Sequence, residues 1–349
     1  MGSISTRQFR FLGRVVMKFE QTNQLSESEG VFISVIISTY NRAKYIGITL
    51  DSFLNQSYPP SLYEIIVCDN NSTDNTKEVI ESCIKGTDRN IRYLFEKRQG
   101  MHYARNYAAQ NSQGQILYFT DDDTVADIHL LSELVEIFKN NKVGCATGRV
   151  LPRWECTPPK WVEKYCNNAL LSLNDQGKRT KIRNYDLGVF GCHEAVRRDV
   201  FFQAGGFHPD LIGNTPGVGD GETGLNSDIK EMGYLFAYVG TSVIFHMIPP
   251  RRMTQRYLNK RFEYNGNSAS YSEYRRAPFT KKELPKRIVA YLLRFLAAEI
   301  NVVKEWKKGE KNFRFCLAEI YYYRSRIQYD IRIVCNQDFR KFVENNNWF

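Results

Sequence analysis

Along the first third of the chain, short β-rich apolar runs alternate with polar loops and with stretches of helical periodicity. Ile33-Ser34-Val35-Ile36-Ile37-Ser38 stops at Thr39-Tyr40-Asn41-Arg42, after which Ile46, Leu50, Phe53 and Leu54 recur at helical spacing. That order is strand, polar loop, helix. It repeats as a strand at 64–68, the loop Asp69-Asn70-Asn71-Ser72 and a helix at 73–84 with a polar start. A strand at 91–95, a helix at 102–111 and a strand at 115–120 follow, the last running into Asp121-Asp122-Asp123 ahead of a helix at 127–140. Helices between successive strands are the usual crossovers of a parallel sheet, so the pattern predicts an α/β fold. Beyond Val143 the pattern becomes irregular and proline-broken, and predicts a mixed region lining a second site. Helices at 198–204 and 223–232 stop at Gly205-Gly206 and Gly233, and the chain from 284 on is helical.

Length and charge refine this picture. The 349 residues allow one large domain of about 250 residues plus an appendage. The organisation expected is an N-terminal extension at 1–30, a main domain at 31–270 made of two halves, 31–125 and 126–270, and a basic helical extension at 271–349. From Arg251 onward there are 22 Lys/Arg against 10 Asp/Glu, so the tail carries more than the whole net charge of +10. Its partners by charge alone are nucleic acid, anionic lipid or a phosphorylated substrate; no nucleic-acid motif accompanies it. Eight scattered cysteines without a C-x-x-C pair read as reduced core thiols, which favours the cytosol. No run of about 18 uncharged apolar residues predicts a spanning helix. Met1-Gly2-Ser3-Ile4-Ser5-Thr6 formally fits a myristoylation pattern and equally a disordered start.

In open α/β sheets ligands sit beyond the carboxyl ends of the strands, where Tyr40, Asp69, Arg98 and the aspartate triplet all fall. Three adjacent carboxylates repel unless something positive meets them, and a divalent cation, Mg²⁺ or Mn²⁺, answers that need while neutralising a diphosphate leaving group. An Asp-rich turn or helix cap is the plain alternative. Farther on, Asp220 and Glu222 lie among Gly217, Gly219, Gly221 and Gly224, where backbone approaches a ligand closely and acids sit at a helix start. Either acid would serve as a helix cap, as a general base, or as both. His246 ends the apolar run Val243-Ile244-Phe245 and is a candidate metal or diphosphate ligand, or a satisfied structural histidine. Arg251, Arg252, Arg256, Lys260 and Arg261 would close over a departing diphosphate or form a solvated helix face. From 285 to 306 apolar residues alternate with lysines and arginines, which suits a helix on an anionic membrane surface or one packed on the domain or on a second copy.

The opening Ser-x-Ile-Ile-Ser-Thr-Tyr-Asn-Arg, the run Ile-Val-Cys-Asp-Asn-Asn-Ser-Thr-Asp-Asn-Thr, Ala104-Arg105-Asn106 and the Asp triplet together resemble glycosyltransferase family 2 over about two thirds of the chain. The resemblance implies the GT-A fold, a mixed, mostly parallel sheet flanked by helices, and inverting sugar transfer from a nucleotide-diphosphate donor of UDP or GDP type. It implies a glycan or lipid-linked acceptor; the thiols and the basic tail helix add the expectation of a cytoplasmic protein, with peripheral contact at the inner face of the membrane and a homodimer both open. Thr39 and Tyr40 would pack on the base and Asp69 would accept a hydrogen bond from it. Arg98 or Arg105 would face the nucleotide, with Arg42 and Asp121 on the same side. Asp122 would reach the ribose, and Asp123 the metal, joined by His246. Ordinary packing for Tyr40 and a structural ion pair for Arg105 remain open. Family members carry Glu-Asp before the helix where this chain has Gly221-Glu222, which puts Glu222 first as base and Asp220 second. They often carry Asn where His193 falls. A non-catalytic nucleotide-sugar or saccharide-binding module of the same fold is the alternative.

Overall fold

All seven residues of strand β1 (Ile33–Thr39) are buried, because helices cover both of its faces. The chain continues through α1 (Ala43–Leu54), β2 (Tyr63–Asp69), α2 (Thr76–Lys85), β3 (Ile91–Phe95), α3 (Met101–Gln110) and β4 (Ile116–Asp121). All these strand pairings are parallel, in the order β3-β2-β1-β4. Alternate residues point to opposite layers: Val35, Ile37, Ile65, Val67 and Tyr118 meet Ile46, Leu50 and Phe53 of α1. Ile36, Ile66, Leu117 and Phe119 meet Ala104 and Ala108 of α3. Strand order reverses at β1, so the loops after β1 and β4 part there and leave a crevice. This computed structural model describes residues 30–165, 170–209, 211–212, 215–216, 218–308 and 313–349. The myristoylation pattern, Cys166 and Gly217 lie outside them.

The second half contains β5 (Thr124–Ala126), α4 (Leu130–Ile137), β6 (Val143–Trp154), α5 (Lys160–Tyr165), β7 (Lys181–Arg183), β8 (Glu194–Arg197), α6 (Arg198–Ala204), a two-residue ladder of β9 (Leu211–Ile212) with β10 (Thr215–Pro216), α7 (Glu222–Glu231) and β11 (Leu235–Ile248). Antiparallel β8 joins β4 to β6, β6 runs parallel to β11, and β5 and β7 pair antiparallel with β11. The sheet is thus parallel in its first half and mixed in its second. The helix expected at 127–140 shortens to α4 because a turn at 127–129 takes its first residues and the helix stops at Ile137. Helix α2 likewise starts at Thr76, three residues later than expected, because Asn41 Oδ1 accepts from the Thr73 N–H (2.7 Å) and holds that residue in the loop.

The tail forms α8 (Gln255–Arg276), α9 (Leu284–Lys307), α10 (Phe313–Cys335) and α11 (Gln337–Val343), with a core of its own around Tyr271, Tyr329, Ile333, Phe339 and Trp348. Val31–Phe349 hold together as one compact unit, and the boundary drawn at 270 falls inside α8. Cys68, Cys145 and Cys192 are buried thiols as expected, but Cys156 and Cys335 are exposed.

One irregularity positions the site. The β6–β11 register shifts between Val239, opposite Gly148, and Val243, opposite Arg149, so that Gly240-Thr241-Ser242 bulge out before β11 resumes toward His246. The bulge needs glycine at 148, where an added Cβ would stand 2.2 Å from the Ser242 carbonyl oxygen and 2.5 Å from His193 Nε2. Gly148→Ala is therefore expected to cost about 1–3 kcal/mol, the usual range for overpacking. Thermal unfolding checks this: the melting temperature should fall by several degrees, and an unchanged one would contradict the account.

Candidate active site

Asp121 is the last residue of β4, and the chain turns at Asp122-Asp123 into β5, which pairs back on β11 with Thr124 opposite His246. The Met247 N–H donates to the Asp123 carbonyl (2.8 Å), so sheet register alone brings His246 to the triplet. From α1, the buried Thr49 hydroxyl lies 2.8 Å from the carbonyl oxygens of both Asp122 and Thr124 and fixes the turn from the other side.

Each aspartate meets its own guanidinium. Arg105 Nη2 donates to Asp121 Oδ1 at 2.7 Å, Arg42 Nε to Asp122 Oδ1 at 3.1 Å, and Arg252 Nη2 to Asp123 Oδ2 at 3.1 Å. Burial pushes the Asp122 carboxyl up, with Arg42 pulling against it. Burial also opposes ionisation of Asp123, but the guanidinium charges of Arg252 and Arg42 beside it favour the carboxylate and hold that group well below the usual range.

His246 is buried, and its two nitrogens are assigned by their partners. Nδ1 lies 2.9 Å from the Leu171 carbonyl, which only accepts, so Nδ1 carries the proton. Nε2 accepts from Arg252 Nη1 (2.6 Å) and lies 3.3 Å from Asp123 Oδ1, a buried oxygen that accepts no hydrogen bond. Asp121, Asp123 and His246 each present one ligand atom within 4.8 Å of the others. A backbone-oriented imidazole, two carboxylates and an orphaned carboxylate oxygen make a donor set that fits a divalent cation. An ion on Nε2 would take the lone pair that Arg252 engages. Of the basic residues near Arg251, Arg252 thus turns inward and Arg261 bears on Glu222, while Arg251, Arg256 and Lys260 are exposed.

Glu222 opens α7 on the same side of the molecule. Neither acid caps the helix: Gly221 is its N-cap, with φ 53° and no side-chain hydrogen bond. That conformation suits glycine. Asp220 is tied into the scaffold, its Oδ1 2.9 Å from His208 Nδ1 and its Oδ2 accepting from the Ser272 hydroxyl (2.5 Å), while His208 Nε2 lies 3.2 Å from Asp228. Tyr329 of α10 donates to the Val218 carbonyl (2.5 Å), so the tail clamps both ends of this turn. Burial raises the Glu222 pKa; Arg105 and Arg261 oppose that shift, and Asp121 adds to it. The buried Cys192 thiol is pushed up by burial and further by the charges of Asp121, Asp123 and Glu222. Nearby, Glu194 is fully buried with no hydrogen bond to either oxygen, and burial, then Glu222, pushes its pKa up.

On the nucleotide side Tyr40 is 44% exposed at the mouth of the crevice, whereas Thr39 is buried beneath it against Asp122. Asp69 is buried and held by the Ser72 N–H (2.9 Å) and the Tyr93 hydroxyl (3.0 Å). Asn41 adopts φ 54° and ties its loop to Ser72 and Thr73, joining the ends of β1 and β2. Arg98 folds onto Glu96 through two hydrogen bonds, of 3.0 and 2.8 Å, and Arg105 is buried between Asp121 and the Gly191 carbonyl. His193 is a core residue whose Nδ1 lies 3.0 Å from the Tyr118 hydroxyl, with burial lowering its pKa to about 4. The roles of His208, Ser272 and Tyr329 had no local signal, since each is made by a contact with a distant element.

Residues 34–204 match the family model described as Glycosyl transferase family 2. The chain belongs to glycosyltransferase family 2. Among its curated relatives, "Glycosyltransferase AglE" of Haloferax volcanii is 33% identical over 52% of this chain and 57% of its own length. "Glucosyl-dolichyl phosphate glucuronosyltransferase" of the same organism is 27% identical over 50% of this chain and 55% of its own. The alignments therefore span little more than half of those relatives. The solved "Mannosyltransferase PcManGT from Pyrobaculum calidifontis in complex with GDP-Man and Mn2+" superposes with a TM-score of 0.59 at 19% identity, covering 87% of this glycosyltransferase chain and 88% of that one. That likeness establishes the GT-A fold.

The Asp220–His208–Asp228 network makes a pH prediction. Burial opposes protonation of His208, but its hydrogen bonds to the two aspartates prevail and raise its pKa. Its stabilisation is therefore complete below the unfolded histidine pKa of about 6.5 and fades as pH rises through the higher folded value. Comparing wild type with His208→Asn by thermal unfolding, the gap should be widest below about pH 6.5 and narrow at alkaline pH; a gap that widens with pH would refute it.

Proposed function

We propose that this chain is an inverting, divalent-metal-dependent glycosyltransferase that moves a sugar from a nucleoside-diphosphate donor to a glycan or lipid-linked acceptor. The observation that carries the reading is Arg105: its guanidinium donates to Asp121 of the acidic group and its charge opposes the rise that burial gives the Glu222 pKa, which supports reading the two sets of carboxylates as one site. In this reading Asp121, Asp123 and His246 hold Mn²⁺ or Mg²⁺. Bound there, the ion would supply positive charge against the departing diphosphate.

Tyr40 offers its exposed ring to the base, with Asp69 behind it as acceptor for an imide N–H. Glu222 takes the proton of the acceptor hydroxyl while that oxygen forms its bond to the anomeric carbon. The bond from that carbon to the diphosphate oxygen breaks, and the leaving nucleoside diphosphate keeps the electron pair. A single displacement inverts the anomeric centre and needs no covalent intermediate. Asp220 is a positioning residue, because both its oxygens are spoken for. For the acceptor, a groove of about 410 Å³ lined by Asp175, Tyr185, Asp186 and Phe190 is joined to α7 by the hydrogen bond from Asn226 to Asp186 (3.1 Å). The name of one relative, a glucosyl-dolichyl phosphate glucuronosyltransferase, favours a lipid-linked acceptor.

A screen of UDP- and GDP-sugars for Mn²⁺-dependent hydrolysis tests the whole reading: one donor should be hydrolysed, and Asp123→Ala should remove both that activity and the metal-dependent rise in melting temperature. Hydrolysis unaffected by chelation would sink the metal assignment. Glu222→Gln should lower kcat by on the order of 10²–10⁴ while nucleotide affinity stays within about threefold. The wild-type rate should climb with pH through a pKa above that of an ordinary glutamate, since burial favours the protonated, inactive base. Full turnover by the glutamine variant would reject Glu222.

A further inference from the structure

We propose that α9 docks the protein on an anionic membrane surface, lying in the plane of the interface with its outward face in the lipid. This deepens the lipid-linked acceptor reading and rests on it for its purpose, while the binding itself stands apart from the chemistry.

The helix has 24 residues and is therefore about 36 Å long. It lies along α10, toward which it turns Tyr291, Phe295, Ala298 and Val302; Tyr291 accepts from Arg326 of α10 (2.6 Å), and Arg287 pairs with Asp330 (2.8 Å). Orientation about the helix axis is thereby fixed. Val289, Leu292, Leu293, Leu296, Ile300 and Val303 then fall at i, i+3, i+4, i+7, i+11 and i+14, one continuous stripe. All six are exposed, from 45% for Leu292 to 64% for Leu293. Isolated exposed leucines are ordinary, but six in one stripe mark a contact surface.

Charge selects the occupant. Residues 281–308 hold eight Lys/Arg against three Asp/Glu. Lys281, Lys282 and Lys286 are exposed at one end of the stripe and Lys304, Lys307 and Lys308 at the other, with Trp306 exposed on the last turn. An apolar band bracketed by lysines, with an aromatic at its edge, matches acyl chains below and anionic headgroups beside them. A second copy meeting the same face would bring two sets of lysines together, which is repulsive. No helix among the described residues is long and apolar enough to cross a membrane, so the contact is one of lying on the surface.

The test is co-sedimentation of the full chain, without donor, with vesicles of phosphatidylcholine alone or with about 30% phosphatidylglycerol, at low and high salt. Binding should require the anionic lipid and weaken with salt. Leu293→Glu combined with Leu296→Glu should weaken it about tenfold or more, and Lys304→Glu combined with Lys307→Glu should remove the preference for anionic lipid. Both variants should keep wild-type donor hydrolysis in solution, which shows them folded. Full vesicle affinity in the leucine variant would overturn the proposal. So would a wild-type dimer that ignores vesicles and that the leucine variant dissociates. Since hydrolysis is read without vesicles and binding without donor, failure of one leaves the other standing.

Discussion

Three carboxylates at the end of β4 stand side by side because a guanidinium reaches each one. The three arginines come from distant places: Arg42 from the loop after β1, Arg105 from α3, and Arg252 from the turn after β11. Each pair is buried or half-buried, where removing one partner would leave an uncompensated charge, commonly a loss of about 3–5 kcal/mol. The charge pattern therefore does more than prepare a binding site. It binds the parallel half of the sheet to the mixed half, and it works only when β11, past its bulge at 240–242, delivers His246 and Arg252 to the same spot.

From that constraint the second feature follows. Arg105 pairs with Asp121 and reaches electrostatically to Glu222, so the charge state of the acidic cluster and that of the proposed base are coupled. The turn carrying Glu222 is in turn held by the tail, through Ser272 on α8 and Tyr329 on α10. The C-terminal helices thus serve two surfaces. Their inner side holds the turn that carries Glu222, and on α9 the outer side remains apolar toward solvent. In sequence the two faces of α9 overlap, which is why its apolar residues suit packing and lipid equally until α10 fixes which side points inward.

Much of this was legible in the residues, for physical reasons that differ by element. β1, β2 and β4 are covered on both faces and so read as continuous apolar runs, and their polar endings mark the crevice directly. β5 is three residues long and has no periodicity to detect, so it went unread between the aspartate triplet and the helix expected at 127–140. Asp123 and His246 were recognisable as ligand types, since a triplet of acids and a histidine after a strand are chemically conspicuous. Arg252 as the partner of both was not, because that pairing exists only through the β5–β11 register. Asp220 and Glu222 could not be separated by spacing. His208 and Ser272 engage both oxygens of Asp220, and those contacts cross 12 and 52 positions of sequence.

The central claim is that the acids after β4 and His246 form a metal site that a diphosphate shares. Calorimetric titration of the full chain with UDP and GDP, in the presence and absence of Mn²⁺, addresses it most directly. Shared occupancy requires each ligand to raise the affinity of the other by the same factor. Reciprocal strengthening that disappears in His246→Ala is the predicted result; nucleotide binding of equal strength with and without the ion would contradict the account.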